Sequence, residues 1–123
     1  MGDGVDIGPA RPEWALPGAR IVKPYRAADF HYEDLDFVFS SHLLGNLPGG
    51  LNWVVALDYW VGKLKPGGQL FLYLPHSDYG YWGRYCVHPD NLMDYFEQHP
   101  DIARHFVSGR DLNYSYVGLA EKL

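Results

Sequence analysis

Between Leu51 and Pro75 the sequence reads LNWVVALDYWVGKLKPGGQLFLYLP, and this stretch restricts the fold more than any other. Val54, Leu57, Val61 and Leu64 recur at helical spacing, while Asn52, Asp58, Tyr59 and Lys63 fall between them. Lys63 and Lys65 suit the negative end of a helix dipole, and Pro66-Gly67-Gly68 forbids continuation. LFLYLP then reads as a buried strand. The pattern predicts a helix over 51–64 that feeds a strand over 70–74 through a tight turn. A helix delivered straight into a strand is half of a strand–helix–strand unit, which favours a parallel sheet with right-handed crossovers.

The segments on either side agree. LDFVFSS, upstream of the helix, is apolar at successive positions, as central parallel strands are. GVDIG is a short apolar run ending at Gly8, a plausible first strand, and RIVKP is a second, closed by Pro24. PARPEWALPGA is too rich in proline for a full helix, although Pro12 suits the first position of a short turn. PDNLMDYFEQHP predicts a helix capped by Asp90 and stopped before Pro100. RHFVSGRDLNYSYVGLAEK predicts a β-hairpin around Gly109-Arg110-Asp111, spanning 106–120. The order strand, strand, strand, helix, strand, helix, hairpin defines an α/β fold: a mostly parallel Rossmann-like sheet with a terminal antiparallel hairpin.

Composition sets the outer bounds. The 123 residues make one domain, 1–123, and 47% hydrophobic content supplies a core. Net charge is −5, and the basic residues are scattered apart from a loose group at Arg20, Lys23 and Arg26. That disfavours nucleic acid as a partner. No run approaches the ~18 apolar residues of a membrane span. A single cysteine, Cys86, excludes an intrachain disulfide and fits a reducing, cytoplasmic setting.

With these elements in order, LDFVFSSHLL, ALDYWVGKLKPGGQLFLYLPH and YSYVGLAEK together resemble the later part of the class I S-adenosylmethionine-dependent methyltransferases. The resemblance runs from about Leu35 to Lys122, and GVDIGPARP resembles a worn form of that family's glycine-rich first loop. It implies a shortened methyltransferase fold, S-adenosylmethionine as cofactor, and methyl transfer to an acceptor that the sequence does not specify. It also implies that Asp6 and Gly8 line the cofactor, that Asp29 and Phe30 meet the adenine, and that Ser41 and His42 face the sulfonium or the acceptor. His76, at the next strand end, would be a general base. Tyr79, Tyr81, Trp82 and Tyr85 would wall an acceptor pocket.

The sequence also departs from that pattern. Ala10 and Pro12 stand where the family has glycines, and Lys23 stands where it has an acid that holds the ribose hydroxyls. Lysine cannot accept a hydrogen bond. Leu44-Gly45-Asn46 replaces the usual Leu-Glu-His, and the early helices have no room. The alternative is therefore a non-catalytic binding or assembly module that has lost the cofactor. Each candidate has a structural reading too. Asp6 and Gly8 can simply end a strand, Asp29 and Phe30 can be a loop acid and a buried ring, and either histidine can bond a loop carbonyl. Lys23 and Arg26 can hold an anionic group or be merely solvated. No metal is expected, because His76, Asp78 and His88 match no ligand spacing.

A final expectation concerns coverage. The two predicted helices fall on one face of the sheet by right-handed crossover, while the segments that would cover the other are short. An uncovered apolar face marks an interaction surface, and a homodimer through Trp14, Leu16 and nearby aromatics would cover it.

Overall fold

The computed structural model describes residues 2–9, 12–76 and 87–123. Ala10, Tyr79, Tyr81, Trp82, Tyr85 and Cys86 lie outside the described residues, so the expected acceptor wall does too.

The described residues form one sheet of six strands in the order β2-β1-β3-β4-β6-β5. The strands are β1 (Gly4–Ile7), β2 (Arg20–Val22), β3 (Leu35–Ser41), β4 (Leu64–Pro75), β5 (Ile102–Val107) and β6 (Ser115–Lys122). β2, β1, β3 and β4 run parallel. β6 joins β4 antiparallel, and β5 joins β6 antiparallel at the edge. The predicted parallel sheet with its hairpin is the one observed. Pro12 opens a short 3-10 turn, Pro12–Trp14, as its fixed φ favours.

Two helices follow the sequence pattern with corrected ends. α1 (Trp53–Lys63) starts two residues later than expected, because Asn52 caps it by accepting from the Val54 amide at 2.8 Å. It ends at Lys63, one residue before the expected Leu64. Lys65 precedes a proline and is pushed out of helical geometry, and Leu64 is already extended and paired with Leu35. The Lys65–Gly68 stretch is thus an irregularity inside β4 rather than a separate turn. α2 (Pro89–Gln98) is capped by His88, not Asp90: the His88 ring accepts from the Asp90 amide, and Pro89 takes the first turn.

Both helices lie on one face. A side chain at Gly118 would come within 2.7 Å of Leu92 of α2, so α2 sits directly over that position. Ile7, Ser40, Leu72, Gly118 and Val107 are in register across the sheet and share this face. α1 packs beside α2, with the Tyr95 hydroxyl donating to Asp58 Oδ1 at 2.6 Å and the Trp53 and Tyr95 rings 5.9 Å apart. The 23–34 connection seals the end of α1. Tyr59 donates to the Phe30 carbonyl and accepts from its amide, and Trp60 Nε1 donates to the Ala27 carbonyl. Trp60, Leu57, Leu70, Leu72, Leu74 and Tyr116 form the fully buried centre of this layer.

Alternate residues face the other way. Asp6, Phe39, Phe71, Leu119 and Phe106 make a continuous row across five strands. No helix covers it among the described residues. Leu16, from the connection between β1 and β2, reaches only its first part, where a cavity of about 350 Å3 opens among Leu16, Phe37, Phe39 and Phe71. Phe71 is 38% and Phe106 56% exposed.

Candidate functional site

In an open parallel sheet the ligand crevice lies beyond the carboxyl ends of the strands, where the strand order reverses. Here the chain runs from β1 outward to β2 and returns on the other side of β1 to β3. The reversal therefore falls between β1 and β3. A cleft of about 230 Å3 opens at that place, lined by Asp6, Pro9, Trp14, Phe39, Ser41 and His42.

The strand ends are built to hold this opening. Gly8 turns the chain with φ 80°, and an added side chain there would meet Leu43 at 2.6 Å. Only glycine accepts both constraints at no cost. The Gly8 amide donates to the Val22 carbonyl at 2.8 Å, joining the ends of β1 and β2. Ser40 is fully buried and its hydroxyl donates to the Ile7 carbonyl at 3.0 Å, so it fastens β3 to β1 just below the cleft. The small polar residues that close β3 thus have separate tasks: Ser40 ties strands, while Ser41 and His42 face outward.

His42 has φ 57°, which turns the backbone sharply as the strand stops. Its amide donates to the Tyr73 carbonyl at 2.7 Å, and its ring stands edge-on to the Tyr73 ring at 5.0 Å. Its Nδ1 lies 2.9 Å from the Ser41 hydroxyl and its Nε2 3.0 Å from the Ser115 hydroxyl. The Ser115 hydroxyl donates onward to the Asn113 carbonyl at 3.3 Å, so it accepts from His42. That assigns the proton to Nε2 and makes Nδ1 the acceptor from Ser41. Burial pushes the imidazole below its ordinary pKa, partly opposed by the Asp111 carboxylate. Asp111 in turn accepts from the Tyr73 hydroxyl and from the Asn113 and Ser115 amides, and these bonds hold its carboxyl below the usual range. His42 is thus a neutral link between β3 and the hairpin. Removing a proton from an acceptor would require it to release Ser41.

Asp6 is 1% exposed. Its Oδ2 accepts from the Leu16 amide at 2.8 Å, and burial pushes its pKa up against the lowering effect of that bond.

The other expected residues fall elsewhere. His76, at the end of β4, donates its amide to the Tyr114 carbonyl at 2.8 Å and stands perpendicular to the Tyr116 ring at 5.9 Å. Phe30 is buried edge-on against Tyr59 at 5.2 Å. Asp29 is an exposed carboxylate 3.6 Å from Arg26 Nε. The structure brings Asp6, Ser41 and His42 into one cleft, with Gly8 turning the chain beside it, and leaves Asp29, Phe30 and His76 outside its lining. Trp14, Phe39 and the Ser115–Asp111–Tyr73 network went unnoticed as site features in the sequence. Only the strand period of DFVFS hints that Phe39 shares a face with Ser41. No group of three or more metal-ligating side chains converges among the described residues. No helix among them is long and apolar enough to cross a membrane.

No protein-family model matches the sequence, and no curated protein sequence matches it either. Solved structures do match the fold. A SAM-dependent methyltransferase from Thermotoga maritima superposes with TM-score 0.72 at 16% identity, over 100% of this chain and 83% of that one. The N-methyltransferase NodS from Bradyrhizobium japonicum, solved with S-adenosyl-L-homocysteine, gives 0.65 at 14% identity, over 98% and 77% of the two chains. A SAM-dependent methyltransferase from Aquifex aeolicus gives 0.63 at 15% identity, over 88% and 57%. The chain has the class I methyltransferase fold in a short form: a Rossmann-like sheet closed by an antiparallel hairpin.

Proposed function

We propose that the chain is an S-adenosylmethionine-dependent methyltransferase whose cofactor enters the cleft between the ends of β1 and β3. One observation carries this reading: Asp6, Ser41 and His42 converge on a single opening at the reversal point of the sheet. The Gly8 turn lets the chain leave β1 without blocking the cleft, and the Trp14 and Phe39 rings offer apolar walls. The bound cofactor would supply an electrophilic methyl group on a sulfonium. This chain's part is orientation, with Ser41 and His42 setting the polar edge beside the reacting groups. His76 remains the proposed base for an acceptor held near β4.

A second reading is favoured by Lys23, which ends β2 without an acceptor for ribose hydroxyls. On that reading the fold serves binding or assembly alone. Calorimetric titration with S-adenosylhomocysteine decides between them. Saturable binding that Ser41→Trp abolishes supports the enzyme. No heat at millimolar ligand leaves the binding module.

A further inference from the structure

We propose that Ser41 is a nucleophile with His42 as its general base, and that the cleft between the ends of β1 and β3 cleaves short, uncharged carboxylic esters or thioesters. The inference goes beyond the methyl-transfer reading and does not depend on it, although the two share an opening. Three groups stand in line. The Ser41 hydroxyl lies 2.9 Å from His42 Nδ1, and His42 Nε2 lies 3.0 Å from the Ser115 hydroxyl. A nucleophile, a base within hydrogen-bond reach and a third group that orients the base are the parts that activate a serine.

The tautomer gives the first argument. The Ser115 hydroxyl donates to the Asn113 carbonyl, so Nε2 carries the ring proton and Nδ1 offers its lone pair to Ser41. The proton that this imidazole is placed to take is therefore the serine's own. In the first step Ser41 Oγ bonds to the acyl carbon and its proton passes to Nδ1. The bond to the leaving oxygen or sulfur then breaks, and Nδ1 gives the proton to that leaving group. Water attacks the acyl-serine and gives a proton to Nδ1, and Ser41 departs from the acid by taking that proton back. The Asp111 carboxylate favours the transient imidazolium.

The backbone gives the second. His42 has φ 57°. That conformation is sparsely populated for residues other than glycine, and such residues cluster at active sites. Neighbouring Ser40 is fully buried and holds the Ile7 carbonyl, whereas Ser41 lines the opening, so only one of the paired serines can meet a substrate. The cleft gives the third. Its volume of about 230 Å3 is below the roughly 300–1,000 Å3 of drug-sized sites, which selects a short acyl group. Pro9, Trp14 and Phe39 are apolar walls for that group. The described lining holds no lysine or arginine, and Asp6 is an acid, so an anionic substrate meets no counter-charge.

The test is hydrolysis of p-nitrophenyl acetate by the whole chain, with a fluorophosphonate as covalent probe. The ester should be cleaved, and the fluorophosphonate should add to the peptide that carries Ser41. Ser41→Ala and His42→Asn should each lower kcat/KM by roughly tenfold or more, with the circular dichroism spectrum unchanged. Ser115 acts through His42 as a positioning residue, so Ser115→Ala should lower kcat several-fold and leave KM unchanged. Hydrolysis that survives Ser41→Ala, or a fluorophosphonate that labels another residue or none, would overturn the proposal. Titration with S-adenosylhomocysteine in parallel separates the two readings. Its binding without ester cleavage removes this inference alone, and ester cleavage without its binding removes the methyltransferase reading alone.

Discussion

The Nε2 atom of His42 lies 3.0 Å from the Ser115 hydroxyl, joining residues 73 positions apart. This contact couples the end of a parallel strand to the start of the antiparallel one. Ser115→Ala removes the acceptor of the His42 N–H and should cost about 0.5–1.5 kcal/mol in urea unfolding. His42→Asn should cost about as much, because asparagine tolerates positive φ. His42→Val should cost more, since a β-branched residue does not. If Ser115→Ala is neutral, the link contributes nothing.

The same imidazole sets a pH dependence. Its folded pKa is depressed by burial, so the unfolded chain takes up the proton first as pH falls. Stability therefore rises with pH across that window and declines below the ordinary histidine value of about 6.5. The urea midpoint should drop between about pH 7 and pH 5, and His42→Asn should flatten the drop. Asp111 acts in a separate range. Its depressed carboxyl contributes stability above the ordinary aspartate pKa, and this is lost in more acid solution.

Asp6 has the opposite sign. Burial raises its folded pKa, so ionised Asp6 weighs against the folded state at neutral pH. Asp6→Asn keeps an acceptor for the Leu16 amide and removes the buried charge. A melting-temperature increase of a few degrees is expected at neutral pH, at about 4–8 °C per kcal/mol for a small domain. The gain should vanish near pH 3, where the wild-type carboxyl is neutral in both states. A lower melting temperature at neutral pH would contradict it.

Gly8→Ala combines positive φ with a contact 2.6 Å from Leu43. It should cost about 1–3 kcal/mol and close the cleft, so that both the thermal midpoint and S-adenosylhomocysteine binding fall. A variant that melts normally and binds normally would show that the turn does not shape the site.

The uncovered row leads to a prediction about assembly. Its lower rim carries Asp36 with Lys65 under β3, and Arg104 with Glu121 under β5 and β6. Packing the row of one copy against that of a second about a two-fold axis would bury the exposed Phe71 and Phe106 rings. Light scattering at micromolar concentration should give twice the 14.0 kDa chain mass, and Phe71→Glu should return it to a monomer. A clean wild-type monomer refutes the dimer.

Much of this architecture was legible in the sequence because it rests on period and punctuation. The apolar spacing of α1, the continuous apolar run of β3 and the proline that closes β2 each correspond to an observed element. The element ends were less legible. Helix α1 ends at Lys63, one residue short of the expected Leu64, because Leu64 finds a strand partner in Leu35, a contact 29 residues away that no local rule contains. His88 displaces Asp90 as a cap for a similar reason: Pro89 occupies the first turn and shifts the boundary by two residues. At the site, Ser41 and His42 could be placed at a strand end from the sequence. Their attachment to Ser115 could not, because it depends on the hairpin returning to β4 in register.

β6 follows β5 in the chain but lies inside it in the sheet, between β5 and β4. β5 makes its strand pairs only with β6. During synthesis, therefore, the five preceding strands cannot all dock in order. Until residues 115–122 emerge, β4 presents an open edge and β5 has no strand to join. Among the described strands, β6 is the one that lets the hairpin and the parallel block become a single sheet, so deleting it should release two strands, not one.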